Sequence, residues 1–511
     1  MNRKKWLLWF ILIFTFLLIL LFIFFENRFK YQRLVLKSSK WDTIIQSKKE
    51  DSSLTIKSIK FNDYRLLIDE SNDIIYYSVI DSSQKYNPKV DYDVENGVKI
   101  SFSDKITQEK IENNYSFKVL VYDDSTYHIY ELKVTTLPII HLSYDLKKDE
   151  ETKDISMDFY LFDNRKNAYQ KVVNSIGVLD IVENGNEKAD YHFSLSQESL
   201  GKNMRDNPIS LLGMDQHSEF VLNSLYDDDE KIRNVFSTNL WNSLEGNEEF
   251  YQYVELFVNN EYVGLYSFGY DIESRSLQLD NDEFLFYKRD LSSSEMEYGD
   301  VNKLEGYVLY DYRLKKVSGR EENRRESQRL DEWKELNNYY ETLLSSDVSK
   351  IKELSDLDNS IHLYLFYLLT QATDHVNQES FAHTYLLFEN KKGHYQVRYI
   401  PWNMHDAFLE DSASDNRFIM VYNPVSRLIE LEDSETIQKV KKVYQELRKA
   451  EWSEDKILDS IQEYKKDIFS SGAYFRDKAR WEYDSNITSL EDFSNYVLER
   501  LDSLDTFIEQ L

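Results

Sequence analysis

An apolar run near the amino terminus constrains this chain more than any other feature. Residues 6–25 contain one polar residue, Thr15, and would extend about 30 Å as a helix, which matches the hydrocarbon core of a bilayer. A secretory signal peptide would have a shorter apolar stretch and a small-residue cleavage site, and no such site follows Phe25. The run therefore predicts a single transmembrane helix over 6–25, after a short tail of residues 1–5. Basic residues flank the run on both sides, so charge does not predict its orientation.

The charge of the chain excludes several functions. The sequence has 62 basic and 91 acidic side chains, and residues 1–40 hold eight of the basic ones with one Glu. The net charge of −29 opposes binding to nucleic acid through a basic face, so no nucleic-acid partner is expected. The chain has no cysteine, which excludes thiolate metal sites and cysteine nucleophiles. We interpret residues 26–40 as a basic linker that leads from the membrane to an acidic body.

Residues 41–137 have the alternating pattern of short β-strands. Segments 98–102, 115–122 and 127–134 alternate apolar and polar side chains, and polar turns separate them. This pattern predicts a β-sandwich, and its length fits an immunoglobulin-like (Ig-like) module. The segment contains no catalytic constellation, so a spacer or ligand-binding role is expected for it.

Strands and helices mix over residues 138–410, and residues 411–511 become helical. In the helical part, Ser434, Ser453 and Ser489 are placed to cap three amphipathic helices. The predicted fold class is therefore α+β with a helical C-terminal region, preceded by a β-sandwich module and an N-terminal transmembrane helix.

One part of the α+β region has the pattern of a functional site. Apolar residues 361–369 predict a helix, and a strand pair follows around a turn at 390–393. Polar clusters at 373–377 and 402–408 lie at the ends of this helix and hairpin, where they could converge. In phosphoryl transfer an Asp accepts the proton of the substrate hydroxyl while oxygen ligands hold a hard metal ion. Scattered, solvated polar side chains are the alternative interpretation of the same pattern.

Several further motifs follow one another in a fixed order beyond residue 138. They are Leu211-Leu212-Gly213-Met214, Phe220-Val221-Leu222-Asn223, Asp229 to Asn234, Tyr253 to Tyr266, Asp356-Leu357-Asp358, Asp374-His375, Pro401-Trp402, Phe475-Arg476-Asp477 and Trp481. Together they resemble the spore-coat protein H (CotH) kinase family over about 138–511. The β-rich module resembles a domain that often precedes the kinase-like region in exported members of that family.

The resemblance implies an atypical protein-kinase-like fold that acts outside the cytoplasm. It implies phosphorylation of Ser on surface proteins, with ATP and Mg²⁺ or Mn²⁺ as cofactors. Asp374 falls on the catalytic aspartate of the family. Lys188 falls near the basic cluster expected at the phosphates, although the Arg-Gly element that precedes it in the family is missing here. Arg233 matches a recurrent family Arg, for which cofactor binding and a structural role are both open. The location implied is the cell membrane, with the C-terminal domain extracytoplasmic.

The departures from the family pattern concern the metal site. Where the family has Pro-Trp-Asp-x-Asp, this chain has Asn403 and His405, which supply no carboxylate. The remaining metal candidates are Asn403, Asp406 and Asn377. Adjacent residues of an extended segment point to opposite faces, so Asp406 could replace a lost ligand only if the backbone shifted.

Two more positions depart from the family. Thr384 stands where a metal-binding Asn is expected, for which Asn377 would have to compensate, and Tyr270 stands where the family has an acid. The sequence therefore leaves three functions open. They are an active Ser kinase, a pseudokinase that acts as a cell-surface binding or scaffold protein, and adhesion through the β-rich module.

Overall fold

The computed structural model describes two compact units. The described residues are 15, 30–80, 86–145, 155–182, 188–198, 205–247, 250–272, 277, 283–288, 312–314, 326–372, 375, 383–409, 423–485 and 487–511. The first unit comprises the described residues within Met1–Ile176, Tyr253–Leu265 and Asp467–Tyr483, and the second comprises those within Gly177–Gln252, Tyr266–Lys466 and Asp484–Leu511. The predicted transmembrane segment, 6–25, lies outside the described residues except for Thr15. Within the described ranges, no helix is both long and apolar enough to cross a bilayer.

The strands and helices have the following bounds in chain order. The strands are β1 (Lys49–Glu50), β2 (Ser58–Phe61), β3 (Tyr64–Arg65), β4 (Leu67–Asp69), β5 (Ile74–Ser78), β6 (Val90–Asp93), β7 (Lys99–Phe102), β8 (Phe117–Tyr122), β9 (Thr126–Thr135), β10 (Ile139–Tyr144), β11 (Ile155–Phe162), β12 (Val172–Val182), β13 (Asp190–Ser196), β14 (Ile209–Ser210), β15 (Gln216–His217), β16 (Glu219–Asn223), β17 (Gln252–Val258), β18 (Glu261–Tyr270), β19 (Phe284–Lys288), β20 (Tyr312–Leu314), β21 (Thr384–Lys391) and β22 (His394–Pro401). The helices are α1 (Tyr31–Leu34), α2 (Ser38–Ser47), α3 (Gln108–Glu112), α4 (Arg233–Leu244), α5 (Glu326–Leu344), α6 (Val348–Leu354), α7 (Leu357–Thr370), α8 (Pro424–Glu430), α9 (Ser434–Lys449), α10 (Glu454–Lys465), α11 (Ala473–Trp481) and α12 (Glu491–Gln510), and a π-helical turn covers Lys466–Ser470.

The amino-terminal part of the first unit consists of two β-sheets. One has the strand order β4-β5-β9-β8-β7 with β1 beside β9, and the other has the order β3-β2-β6. Strands β7, β8 and β9 confirm the strands that alternation predicted. The larger sheet is mixed, because β5 and β1 each pair with β9 in parallel. Both sheets contribute to one apolar core, since alternate side chains of each strand point to the same side.

The core of these sheets extends to residues that precede the first strand. Tyr31 of α1 is completely buried, and its ring centroid lies 4.2 Å from that of Phe102 and 5.7 Å from that of Phe61. The sequence interpretation assigned Tyr31 to a linker, because the surrounding residues are basic. The structure instead packs its ring into the β-rich module.

A buried ion pair lies in the first unit between β17 and α11. Arg476 donates from Nε to Glu255 Oε1 at 3.0 Å, and its Nη2 also contacts that carboxylate. The same guanidinium donates to the carbonyl of Ser471 at 2.9 Å and to Asn114 Oδ1 at 3.3 Å. Both side chains are almost fully inaccessible to solvent. Burial lowers the pKa of Arg476, but the Glu255 carboxylate raises it above its ordinary value overall.

The turn before α11 leaves space for this guanidinium only because it contains a glycine. Gly472 has φ +75°, and a β-carbon there would lie 2.8 Å from the carbonyl oxygen of Ile111 and 2.7 Å from Nη1 of Arg476.

Two further contacts attach α11 to β18. Asp477 accepts from the backbone N–H of Leu265 at 2.9 Å, and Trp481 Nε1 donates to the carbonyl of Val263 at 2.8 Å.

The second unit contains the predicted helix, hairpin and helical tail. Helix α7 includes residues 361–369, and β21 pairs with β22 in antiparallel register around the turn at 390–393, which confirms both predictions. The four-stranded sheet has the order β20-β19-β21-β22. Helices α9, α10 and α12 confirm the three predicted amphipathic helices.

The N-cap residue differs from the prediction in α9 and in α12, where it is Leu490 and not Ser489, and agrees with it in α10. Asp433, not Ser434, is the N-cap of α9, and its Oδ2 accepts from the backbone N–H of Thr436 at 3.0 Å. Ser453 is the N-cap of α10 but makes no side-chain capping bond. A carboxylate at the helix N-terminus also interacts favourably with the helix dipole, which explains why the cap lies one residue earlier than predicted.

We expect Asp433→Ala to lower the free energy of unfolding by about 1 kcal/mol, because it removes the capping acceptor. Ser453→Ala is the matched control and should have a much smaller effect. Burial raises the pKa of Asp433, but its bonds with Lys352 and Thr436 lower it overall. The contribution of Asp433 is therefore present above the pKa of the unfolded state and decreases as the pH falls towards the folded-state value. Urea unfolding of both variants at neutral and acidic pH measures this difference, and equal effects would contradict it.

Candidate functional site

Helix α7 brings one side of the candidate site into place. The Asp356 side chain caps the helix by accepting from the backbone N–H of Asn359 at 3.1 Å. The helix is buried over most of its length, and its C-cap is Gln371, which has φ +48°. Asp374, the predicted catalytic residue, and Asn377, a predicted metal ligand, lie outside the described residues. His375 is described, and it lies four residues beyond the C-cap of α7.

The β21–β22 hairpin supplies the other side of the site. Thr384 pairs with Pro401 at its open end, and the backbone N–H of Trp402 donates to the carbonyl of His383 at 2.9 Å. The rings of His383 and Trp402 meet edge to face, with centroids 4.8 Å apart. The hairpin thus places the residues before β21 beside the residues after β22.

The segment after β22 is a turn, not the extended chain that the sequence interpretation assumed. The strand ends at Pro401, Asn403 adopts φ +52°, and residues 405–408 form a turn. The backbone N–H of Met404 donates to Asn234 Oδ1 on α4 at 3.0 Å, and that of Phe408 donates to the carbonyl of Thr370 at 2.7 Å. The strand rule of opposite faces therefore does not apply to Asp406, which turns into the interior instead.

His375 and Asp406 form a buried pair at the centre of this arrangement. Their exposed fractions are 0% and 2%, and His375 Nδ1 lies 3.1 Å from Asp406 Oδ1. The distance is that of an ion pair, although the angles are not those of a hydrogen bond. On its other side, His375 Nε2 lies 2.8 Å from the carbonyl oxygen of Trp402.

These contacts define which atoms carry protons. A carbonyl oxygen only accepts, so Nε2 of His375 is the donor towards Trp402. Nδ1 then faces a carboxyl oxygen, and this contact is favourable only when a proton lies on Nδ1 or on Asp406. In either case Oδ1 of Asp406 is already engaged by His375.

The hydroxyl group of Thr384 is likewise occupied by a buried neighbour, Tyr367. The hydroxyl groups of Tyr367 and Thr384 are 2.6 Å apart, and the Tyr367 ring lies 5.5 Å from that of His375. Burial raises the pKa of Tyr367 strongly, and the charge of Asp406 raises it further. Tyr367 is therefore a neutral hydroxyl that bonds the position where the family pattern has a metal-binding Asn.

The imidazole of His405 lies at the outer side of this cluster. Its Nδ1 is 3.1 Å from the carbonyl oxygen of Asn403, and its ring centroid is 5.9 Å from that of His383. Within the part of the chain that the structure describes, no group of three or more His, Asp or Glu side chains is arranged to hold a metal ion.

The two predicted cofactor-binding cations are both in contact with protein groups. Lys188 is completely buried, and its Nζ lies 4.5 Å from the centre of the Tyr266 ring. Arg233 Nη1 contacts Asp228 Oδ1 at 2.9 Å, and its Nη2 contacts Glu230. Burial raises the pKa of Asp228, although Arg233 acts to lower it.

Three features of this site were not assigned a role from the sequence. Asn234 follows Arg233 in one of the quoted motifs and binds the backbone of Met404, so its position next to a motif Arg was an available signal. The sequence pattern indicates for Tyr367 only a place in the apolar helix 361–369. Tyr270, which replaces a family acid, stacks on His217 with centroids 4.7 Å apart and accepts from Asn247 Nδ2 at 2.7 Å.

Comparison with known proteins identifies the family. The model of the CotH kinase protein family matches residues 184–504, which is more than half of the chain. No curated protein matches the sequence significantly. The matched region includes α4, α7, the β21–β22 hairpin and the His375–Asp406 pair. This chain is therefore a member of the CotH kinase family.

Proposed function

We propose that this protein is a membrane-tethered, catalytically degenerate CotH-family kinase that acts as a binding or scaffold protein outside the cytoplasm. The observation that carries the proposal is the engagement of Asp406 by His375. In the sequence, Asp406 is the carboxylate nearest to the two substituted positions, Asn403 and His405. Because Asp406 is buried against an imidazole, the described residues of the corner after β22 offer no accessible carboxylate to a divalent ion.

The described residues of this corner do not fit the Mg²⁺ or Mn²⁺ that the family resemblance implies. Mg²⁺ binds through carboxylates, carbonyl oxygens and water in octahedral geometry. Asn403 offers at most one neutral amide oxygen, and imidazole such as that of His405 suits Mg²⁺ poorly. We therefore derive no catalytic step through a metal ion.

The basic residues assigned to ATP support the same proposal. The ammonium of Lys188 is buried over Tyr266, and the guanidinium of Arg233 is compensated by two carboxylates. To bind the phosphates of ATP, each group would have to exchange these contacts for new ones. Such an exchange reduces the net gain of binding, because the buried partners would lose their own compensation.

One observation favours a second function, ATP-dependent phosphorylation of Ser on surface proteins. The sequence retains Asp374 at the catalytic position, next to a His375 that is held on both sides. In this alternative Asp374 accepts the proton of the substrate hydroxyl. Asn403, Asp406 and Asn377 would then be the metal ligands, which requires Asp406 to leave His375.

The location is part of the proposal. The apolar run over 6–25 supports a single-pass anchor in the cell membrane. The resemblance to exported members of the family supports an extracytoplasmic location for the rest of the chain. We assign the β-rich module an Ig-like spacer role on its sequence pattern. A reporter enzyme fused after Leu511 tests the orientation, and activity of a cytoplasm-only reporter would contradict it.

The decisive measurement compares three forms of the full chain in detergent. They are the unchanged protein, Asp374→Ala, and the double variant Asn403→Asp/His405→Asp, which restores the family pattern. We expect the unchanged protein to show no metal-dependent transfer of phosphate from ATP to a Ser-rich protein, and Asp374→Ala to behave identically. We also expect the double variant to bind Mn²⁺ more tightly, because it gains two carboxylates.

The contrary result is equally clear. Transfer by the unchanged protein that Asp374→Ala abolishes would establish an active kinase and overturn the degenerate assignment. ATP binding without transfer would be consistent with a pseudokinase that senses nucleotide.

A further inference from the structure

The first unit has a basic surface formed by α1, α2 and the loops beside them. Its cationic side chains are exposed or half-exposed, and we call them the basic patch. They are Lys30, Arg33, Lys37, Lys40, Lys89 and Lys105. Lys30 and Lys89 are partners in a β-bridge, and the Tyr31 hydroxyl donates to the carbonyl of Asp104, the residue before Lys105. Backbone contacts therefore bring cations from three separate parts of the chain close together.

The patch is held in place by packing. The ring of Tyr31 is buried in the sheet core, and its backbone N–H donates to the carbonyl of Pro88 at 2.9 Å. The backbone N–H of Gln32 donates to Asn87 Oδ1 at 2.9 Å, and that of Leu36 donates to the carbonyl of Phe102 at 2.9 Å. The basic side chains thus project from a docked segment.

The cations of the patch form no ion pair within the described part of the chain. Over the ranges that the structure describes, none of its six side chains lies within ion-pair distance of a carboxylate. Residues 30–47 contain four of these cations and one acidic residue, Asp42, although the whole chain has a net charge of −29. A concentrated cationic surface on a strongly acidic protein fits an anionic partner.

The position of the patch in the sequence identifies that partner. Four residues separate Phe25, the end of the predicted transmembrane helix, from Lys30. Even fully extended, the chain would carry Lys30 at most about 18 Å from the end of that helix. Electrostatic attraction to a charged lipid surface acts over about 10 Å at moderate ionic strength. The tether therefore keeps Lys30 within about two screening lengths of the end of that helix, so a short movement brings the patch into the range where lipid phosphates attract it.

We propose that the basic patch binds the anionic headgroups of the membrane in which the chain is anchored. Ammonium and guanidinium groups form charge-assisted hydrogen bonds with phosphodiesters, and cations near a lipid surface act together. The contact would hold the first unit against the bilayer. This inference rests on the membrane anchor of the proposed function, but not on the activity of the kinase-like domain.

The absence of cysteine makes a direct test straightforward. Ser39→Cys, at an exposed position of α2, provides the single thiol for a polarity-sensitive fluorophore. The labelled full chain is incorporated into nanodiscs of phosphatidylcholine, or of phosphatidylcholine mixed with phosphatidylglycerol. We expect the emission to shift to shorter wavelength on the anionic discs and to return at high salt. Ser71→Cys, in the turn between β4 and β5, is the control label and should not respond.

Charge variants in the Ser39→Cys background test the residues. Replacing Arg33, Lys37 and Lys40 by Gln should lower the ratio of docked to undocked protein roughly 100-fold on anionic discs. The matched control replaces Lys57, Lys99 and Lys118, which are equally exposed and carry the same total charge. The control variant should retain the shift of emission to shorter wavelength on the anionic discs.

The outcomes separate this inference from the anchor. A chain that incorporates into both discs with identical emission would overturn the inference and leave the anchor intact. An unchanged shift in the variant of Arg33, Lys37 and Lys40 would also overturn it. Failure of the chain to incorporate into any disc would instead overturn the anchor.

Discussion

Glu255→Ala is expected to destabilise the first unit by about 3–5 kcal/mol, which is the usual cost of leaving a buried charge without its partner. The change removes the carboxylate that faces the Arg476 guanidinium, and Arg476 has almost no access to water. The remaining bonds of Arg476 are to neutral oxygens, which do not compensate its charge. Thermal unfolding and hydrogen exchange of the amide groups of α11 measure the loss.

Two controls make this prediction specific. The double variant Glu255→Leu/Arg476→Met removes both charges and should be less destabilised than Glu255→Ala, since no unpaired charge remains. Glu446→Gln removes one partner of an exposed pair with Lys442 on α9 and should change stability by less than about 0.5 kcal/mol. Equal losses in Glu255→Ala and Glu446→Gln would show that the buried pair has no special role.

Asp406→Ala is the second substitution with a large expected effect. It should lower the free energy of unfolding by about 3 kcal/mol, because it removes the carboxyl group that faces Nδ1 of a fully buried His375. If Asp406 serves the structure in this way, the substitution should leave the affinity for Mg²⁺ and Mn²⁺ unchanged. Unfolding in urea and calorimetric titration with each metal measure the two quantities on the same protein.

The comparison for this variant is Asp459→Ala, an exposed carboxylate on α10. Its effect on stability should be within about 0.5 kcal/mol. The alternative kinase function makes the opposite prediction for Asp406→Ala. Loss of metal binding with unchanged stability would mean that Asp406 is available as a ligand and that the contact with His375 is not structural.

The sequence was sufficient for the elements that local periodicity specifies. Helix α7 and the β21–β22 hairpin followed from their apolar pattern and from the turn at 390–393. The capping error at Ser434 was one residue, since Asp433 and Ser434 are both good N-caps and only the structure shows which oxygen accepts from Thr436.

The sequence was insufficient where contacts join distant residues. Glu255 and Arg476 are 221 positions apart, and neither lies in a pattern that names the other. The direction of the Asp406 side chain differs from the expectation for a local reason. Asn403, just beyond the end of β22, adopts the αL conformation, so the chain is no longer extended and side chains no longer alternate between two faces. His375 was visible in the sequence as part of a family motif, but its pairing with Asp406 depends on how the turn after Trp402 folds.

The first unit is assembled from three separate stretches of chain, and this has a consequence for how the protein is made. Its last stretch, Asp467–Tyr483, supplies Arg476 and α11, and Arg476 is synthesised 221 residues after Glu255. The sheets near the amino terminus therefore remain without the stretch Asp467–Tyr483 while several hundred residues are synthesised. During that interval Glu255 lacks its guanidinium, so the nascent chain should depend on chaperones far longer than a domain built from one continuous segment.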